Sequence, residues 1–179
     1  KIAGNHLASL GHRRVGMVVG SPNSIDSADR FHGFRSAIEG IGREFDQARV
    51  ARMEGPHDDP RDLLRLMSRP DRPTALFVWS DDVAFECMRI LRELGLRIPE
   101  DVSIVGFDST SACTRVDPPL TSVRQPVIEM ARRATQILSA RFRDGETASQ
   151  QIVFPPQLDV RGSTSPYDPK CSVFNEETT

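Results

Sequence analysis

The stretch from Pro99 to Pro126 constrains the fold more than any other part of the chain. Within it Val102, Ile104, Val105 and Phe107 form a short β-branched and aromatic run bounded by turn residues, the pattern of a strand buried in a parallel sheet. Gly106 admits another part of the chain at close range, and Asp108 falls where the strand gives out. Similar runs occur upstream at Val15–Val19 and Ala75–Trp79, with a weaker one at Val50–Met53. Helical patterns separate them. Ile2, His6, Leu7 and Leu10 share one face ahead of Gly11. Phe31, Phe34, Ile38 and Ile41 make a second stripe, after Ser27 and Asp29 as candidate caps. Asp59-Pro60 opens a third helix that turns Leu63, Leu64 and Met67 inward, and Ser80-Asp81-Asp82 caps a fourth reaching Leu94 and Gly95. Strand and helix alternating at this spacing predict α/β architecture: a doubly wound parallel sheet with helices on both faces.

After Val123 the rhythm changes. Pro126 opens a long helix with Val127, Met130, Ala134, Ile137 and Leu138 on one side, ending near Gly145. Gln151–Phe154 and Leu158–Val160 read as two short strands around Pro155-Pro156. From Ser165 onward Ser, Pro, Asp, Glu and Thr predominate, which predicts a disordered or loosely attached tail.

A chain of 179 residues suffices for one good core and a minor second lobe. Its 23 basic and 25 acidic residues leave a net charge of −2, so the charge balance gives no case for nucleic-acid binding. Cys87, Cys113 and Cys171 are odd in number and widely spaced, unlike a disulfide framework or a zinc site. No apolar run approaches a membrane span, and the start lacks the apolar core of a signal peptide. The expected location is cytoplasmic. Because the chain begins within a helical pattern and without methionine, it is expected to be a piece of a longer protein.

Three polar groups fall just beyond the predicted strands: Ser80-Asp81, Asp108-Ser109, and Arg30 in the helix after the first strand. Ligands of open α/β sheets bind beyond the carboxyl ends of the strands. Carboxylates that accept from hydroxyl pairs, with a guanidinium donating in a planar fork, suit a polyhydroxylated molecule. Each residue has a plainer reading: Asp108 as a loop or capping aspartate, Ser80-Asp81 as an N-cap, Arg30 in a surface ion pair. Catalysis has little support, because the chain has no Gly-x-Ser-x-Gly elbow and no phosphate loop. His6, His12, His32 and His57 make no metal-ligand spacing with the cysteines, and no metal or cofactor is expected. In the fourth helix Val83, Ala84, Cys87, Met88, Leu91 and Leu94 form the inward stripe. Phe85 and Ile90 lie outside it, and such excess apolar surface marks a partner interface.

Ile98-Pro-Glu-Asp-Val-Ser-Ile-Val-Gly-Phe-Asp108 followed by Pro118-Pro-Leu-Thr-Ser-Val-Arg-Gln-Pro126 resembles the signature of the LacI/GalR transcriptional regulators. The likeness continues, in the family's order, through His6–Val15, Arg30-Phe-His-Gly-Phe34, Pro73–Val78, Leu94–Pro99 and Val160–Thr164. It implies a fold of periplasmic-binding-protein type, mainly the carboxyl-terminal subdomain. Residues 1–122 would form that subdomain, 123–155 would return to the amino-terminal one, 156–165 would supply the final strand, and 166–179 a tail. It implies effector contacts from Arg30 and Asp108, with Ser80 standing where the family often has Asn, and His57 where an aromatic ring often lines the pocket. It implies a homodimer whose interface includes the fourth helix and the loop 110–116, hence Phe85, Met88, Ile90 and Cys113. The function implied is effector sensing for a transcriptional regulator, the effector being sugar-like. Operator DNA would be reached only through a helix-turn-helix domain outside this chain. The alternatives are an extracytoplasmic solute-binding protein of a sugar transport system, and a dimerisation module that has lost its ligand.

Overall fold

The computed structural model describes residues 1–144 and 151–169. Eleven regular elements follow in chain order: α1 (Ile2–Ser9), β1 (Val15–Val19), α2 (Ile25–Gly40), β2 (Val50–Arg52), α3 (Arg61–Met67), β3 (Ala75–Val78), α4 (Asp81–Glu93), β4 (Ser103–Asp108), β5 (Thr121–Arg124), α5 (Val127–Asp144) and β6 (Gln157–Asp159). The described strands form a single sheet in the order β2-β1-β3-β4-β5-β6. All neighbours run parallel except β6, which pairs antiparallel with β5 through Val123 and Leu158.

The predicted doubly wound sheet is present, and the period of two explains why its strands are apolar throughout. Met17 and Val19 face one side of β1 while Val18 faces the other. Ala75 and Phe77 are divided in the same way from Leu76 and Val78, and Val105 from Ile104. One face packs on α1 and α2 through Leu7, Phe34 and Ile38. The opposite face packs on α3 and α4 through Leu63, Met67, Cys87 and Leu91. Chain order carries β1 outward to β2 and then back across to β3, so the direction of winding reverses between β1 and β3. That reversal opens a crevice at the carboxyl edge, where ligands bind in such sheets.

Several local expectations are corrected. The cap of α2 is Ser24, which accepts from Ser27 N at 3.3 Å; Ser27 instead accepts from Gly20 N at 3.0 Å. Ile41 is exposed, and Ala37 completes the buried stripe in its place. The helix opened by Asp59-Pro60 begins one residue later, with Pro60 at the cap. Residues 151–156 form no strand, leaving β6 alone to return to the sheet. Thr121–Arg124, too short and polar to stand out, is an interior parallel strand.

Ile90, assigned to an outer interface, is 3% exposed and belongs to the core, as do Met88 and Cys113. The wide apolar arc of α4 is buried in a core cluster that also holds Leu96, Ile98, Val102 and Leu120 of this same chain. Of the four expected interface residues only Phe85 is partly exposed, and it too packs against this core.

The residues after β6 return to the sheet, and the tail beyond them is corrected. Ser163 is fully buried: its amide donates to Pro119 O at 3.0 Å and its carbonyl accepts from Ile104 N at 2.8 Å. Its hydroxyl donates to Ile104 O at 2.7 Å and accepts from Thr121 N at 2.8 Å. Farther on, Tyr167 N donates to Leu10 O at 2.8 Å, and its ring lies 5.9 Å from that of His12. Tyr167, within the expected tail, is therefore tied to the residue that ends α1 and to His12. The expected tail from 170, with Cys171, and the helix stop at Gly145 lie outside the described residues.

Candidate ligand site

Arg30 stands on the second turn of α2, beside the crevice. Its Nη1 donates to Trp79 O at 2.6 Å, just beyond β3. Its guanidinium carbon lies 3.9 Å from the centroid of the Phe107 ring and 5.9 Å from that of Trp79. A guanidinium stacked on an aromatic face keeps its remaining N–H groups in the plane, directed away from the ring. Phe107 is the penultimate residue of β4 and Asp108 the last.

Asp108 and Ser109 both adopt positive φ, 110° and 52°. For residues with a Cβ this costs of order 1–3 kcal/mol each and persists only where the surroundings impose it. Two anchors hold the turn: Ser109 N donates to Ser122 Oγ at 3.0 Å, and Thr110 N donates to Asp81 Oδ2 at 2.8 Å. Burial pushes the Asp108 carboxyl above the ordinary carboxylate range. The Gln125 amide, donating to Oδ1 at 2.8 Å, and the Arg30 charge pull it back part of the way; Asp81 and Asp82 push it up.

Two cavities meet at this place. One, of about 480 Å³, is bounded by Arg30, Phe77, Phe107 and Gln125, with Asp26 and Asp29 at its rim. The other, of about 360 Å³, is bounded by Asp108, Ser109, Arg124, Gln125 and the first residues of α5. Arg30 and Asp108 border neighbouring cavities that share Gln125, and the Arg30 charge acts on the Asp108 carboxyl.

The other expected contacts are placed differently. Asp81 is 1% exposed. It accepts from Ser122 Oγ at 2.6 Å, Thr110 N at 2.8 Å and Cys113 Sγ at 3.1 Å, so it braces the turn after Asp108 from below. Ser80 caps α4, accepting from Val83 N at 3.4 Å. His57 is exposed in the turn before α3 and borders neither cavity. Ser109 donates to Asp159 Oδ2 at 2.7 Å, linking the end of β4 to β6. Phe107, the Trp79 carbonyl and Gln125 were missed as site components. The parity of Phe107 in β4 could have revealed its face; nothing in the sequence signals the contacts of Gln125. Among the described residues no cluster suited to a metal ion occurs, and no helix is long and apolar enough to cross a membrane.

The periplasmic binding protein-like domain family matches residues 5–164. The transcriptional regulator DegA of Bacillus subtilis is 34% identical over 164 residues, 92% of this chain and 49% of DegA. The transcriptional repressor PurR of Haemophilus influenzae is 34% identical over 168 residues, 90% of this chain and 49% of PurR. This chain thus spans about half the length of these relatives. Among solved structures, the complex of the transcriptional regulator CelR with cellobiose superposes with a TM-score of 0.82 at 30% identity, over 89% of this chain and 49% of that one. A sugar-binding LacI-family regulator from Escherichia coli, complexed with phosphate, gives 0.84 at 29% identity, over 93% and 60%. These relatives are transcriptional regulators, which sets aside the transport reading. The chain belongs to the periplasmic binding protein-like domain family, in the form that LacI-family transcriptional regulators carry.

Proposed function

We propose that this chain is the greater part of the effector-sensing region of a LacI-type regulator, and that its effector is a sugar or sugar-like metabolite gripped by Arg30 and Asp108. The observation that carries this reading is the pairing at one sheet edge of a ring-stacked guanidinium with a half-buried carboxylate on a positive-φ turn. A planar donor and an acceptor on a stiff frame match adjacent hydroxyls of a pyranose or furanose. The sugars named with CelR and with other solved relatives, cellobiose and ribose, are the first probes.

In this reading residues 1–122 and 156–165 make one lobe, and 123–155 pass to a second. Val127, Ile128, Met130, Leu138 and Phe142 of α5 are all exposed, as an element built to pack on further chain would be. The part of the relatives that this chain does not span would supply that second lobe and the helix-turn-helix heads that reach operator DNA. Effector binding would shift a homodimer between two conformations for which it has different affinities, with no bond made or broken.

Trp79 is the single tryptophan of the chain, and its carbonyl accepts from Arg30. Its fluorescence is therefore a direct reporter. Titration with cellobiose and ribose is expected to change its emission, and Arg30→Ala or Asp108→Ala to weaken binding by about 2–4 kcal/mol. Unchanged affinity in both variants would overturn the site.

A further inference from the structure

We propose that Gln125 is the positioning residue of this site: its side-chain amide fixes the direction of the Asp108 carboxylate and leaves the second carboxylate oxygen for a ligand hydroxyl. The proposal rests on the ligand-site reading above. Gln125 Nε2 donates to Asp108 Oδ1 at 2.8 Å. Among the described residues none hydrogen bonds to Oδ2, which is not sealed from solvent. One oxygen is held and the other is open.

The backbone already limits what Asp108 can do. Its register against Arg124 on β5, its φ of 110° and the anchors on Ser109 and Thr110 fix the Cα–Cβ direction. What remains free is the side chain's own pair of torsions, χ1 among its staggered wells and the broad rotation of the carboxyl group about χ2. A single directional hydrogen bond to one oxygen settles it. Gln125 is well placed for this because it follows β5 directly, borders both cavities and precedes the Pro126 that opens α5. The charges that act on the carboxylate are Arg30 from α2 and Asp81 and Asp82 from α4, and Arg124 of β5 and Glu129 of α5 border the same cavity. Arg30 attracts it while the two acids repel it. Loss of the amide would leave the group to these opposing fields.

The test uses the 179-residue chain labelled with 13C at the aspartate carboxyls and follows Asp108 by NMR across pH. In Gln125→Leu the Asp108 titration is expected to move upward, because the hydrogen bond that favours the charged form is gone. Gln125→Asn, one methylene too short to keep the contact, is expected to give the same shift should the leucine variant fold poorly. An Asp108 titration unchanged in a folded Gln125 variant would overturn the proposal, since a side chain that merely fills space would not move it. Titration with cellobiose or ribose, compared with Asp108→Asn, tests the site reading separately. Its failure would leave the carboxyl result standing.

Discussion

The Ser122 hydroxyl donates to Asp81 Oδ1 at 2.6 Å, joining the start of α4 to the middle of β5 inside the protein. The contact passes over Gly106, where a Cβ would lie 2.6 Å from that same oxygen and 2.9 Å from Leu120 Cδ2. The glycine of the Val-Gly-Phe-Asp run is therefore required by a close approach of side chains; its own backbone is ordinary β-strand. Removing the carboxylate would strand the Thr110 amide, the Ser122 hydroxyl and the Cys113 thiol, each at a cost of about 1–3 kcal/mol where no water enters.

Asp81→Ala is accordingly expected to lower stability by about 3–5 kcal/mol, read from the urea midpoint. Gly106→Ala displaces the same carboxylate. The double variant should then cost clearly less than the sum of the two single ones. Additive losses would show that the two residues act independently.

Ile90→Glu should fail to fold or be severely destabilised, since it places a charge in the core where Ile90 is 3% exposed. The substitution that probes an interface is Phe85→Glu, at a partly buried position on the same helix. If the α4 face joins two subunits, that variant should sediment as monomer with a near-normal melting temperature. A dimer in both the unaltered chain and Phe85→Glu would place the interface elsewhere.

Two histidines, His6 within α1 and His12 just beyond it, fasten the returning segment. His6 Nε2 lies 3.1 Å from Thr164 Oγ1, and His12 Nε2 donates to Ser165 O at 3.1 Å. Burial lowers the pKa of each; for His12 the hydrogen bond to the Ser165 carbonyl raises it part of the way back, and the charge of His6 lowers it by a lesser amount. A depressed folded-state value means the neutral form is favoured on folding. Stability is fully present above the unfolded value of about 6.5 and is lost as pH falls through the folded one. Urea midpoints should drop between neutral pH and pH 5, and His6→Gln with His12→Gln should flatten that slope.

Ser163→Ala removes one hydroxyl that serves two strands, leaving Thr121 N and Ile104 O without their partner. A loss of about 2–4 kcal/mol is expected. Calorimetric melting would measure it, and a loss below about 0.5 kcal/mol, the range of ordinary surface changes, would contradict the role.

On α5, Leu138 and Phe142 are 54% and 89% exposed. Changing both to Ser should leave the melting temperature nearly unchanged and shift the chain toward monomer in sedimentation. If instead the helix is needed for the lobe itself, the double variant would melt early.

The strands β1, β3 and β4 and the four helices that cover them were determined by the sequence, because burial on both faces demands unbroken apolar runs and the helical stripes between them have one natural partner. Arg30 and Asp108 were legible for a related reason: they follow strands at the edge where such sheets bind ligands. What only the tertiary structure decided is how contacts distant in sequence distribute the remaining residues. Ile90 looks surplus on a helical wheel, yet it is buried in one core cluster with Leu96, Ile98, Val102 and Leu120. Asp81 has the residue type of a ligand contact, yet Ser122, 41 residues away, claims its carboxylate. The residues from Ser165 on are polar enough to read as a tail, yet Ser165 exchanges hydrogen bonds with the Ser103 hydroxyl of β4 and Tyr167 N donates to Leu10 O. Periodicity reports which side of an element is buried. It carries no information about which distant donor will meet a given oxygen, and at this site that pairing separates the residue that faces the cavity from the one that braces it.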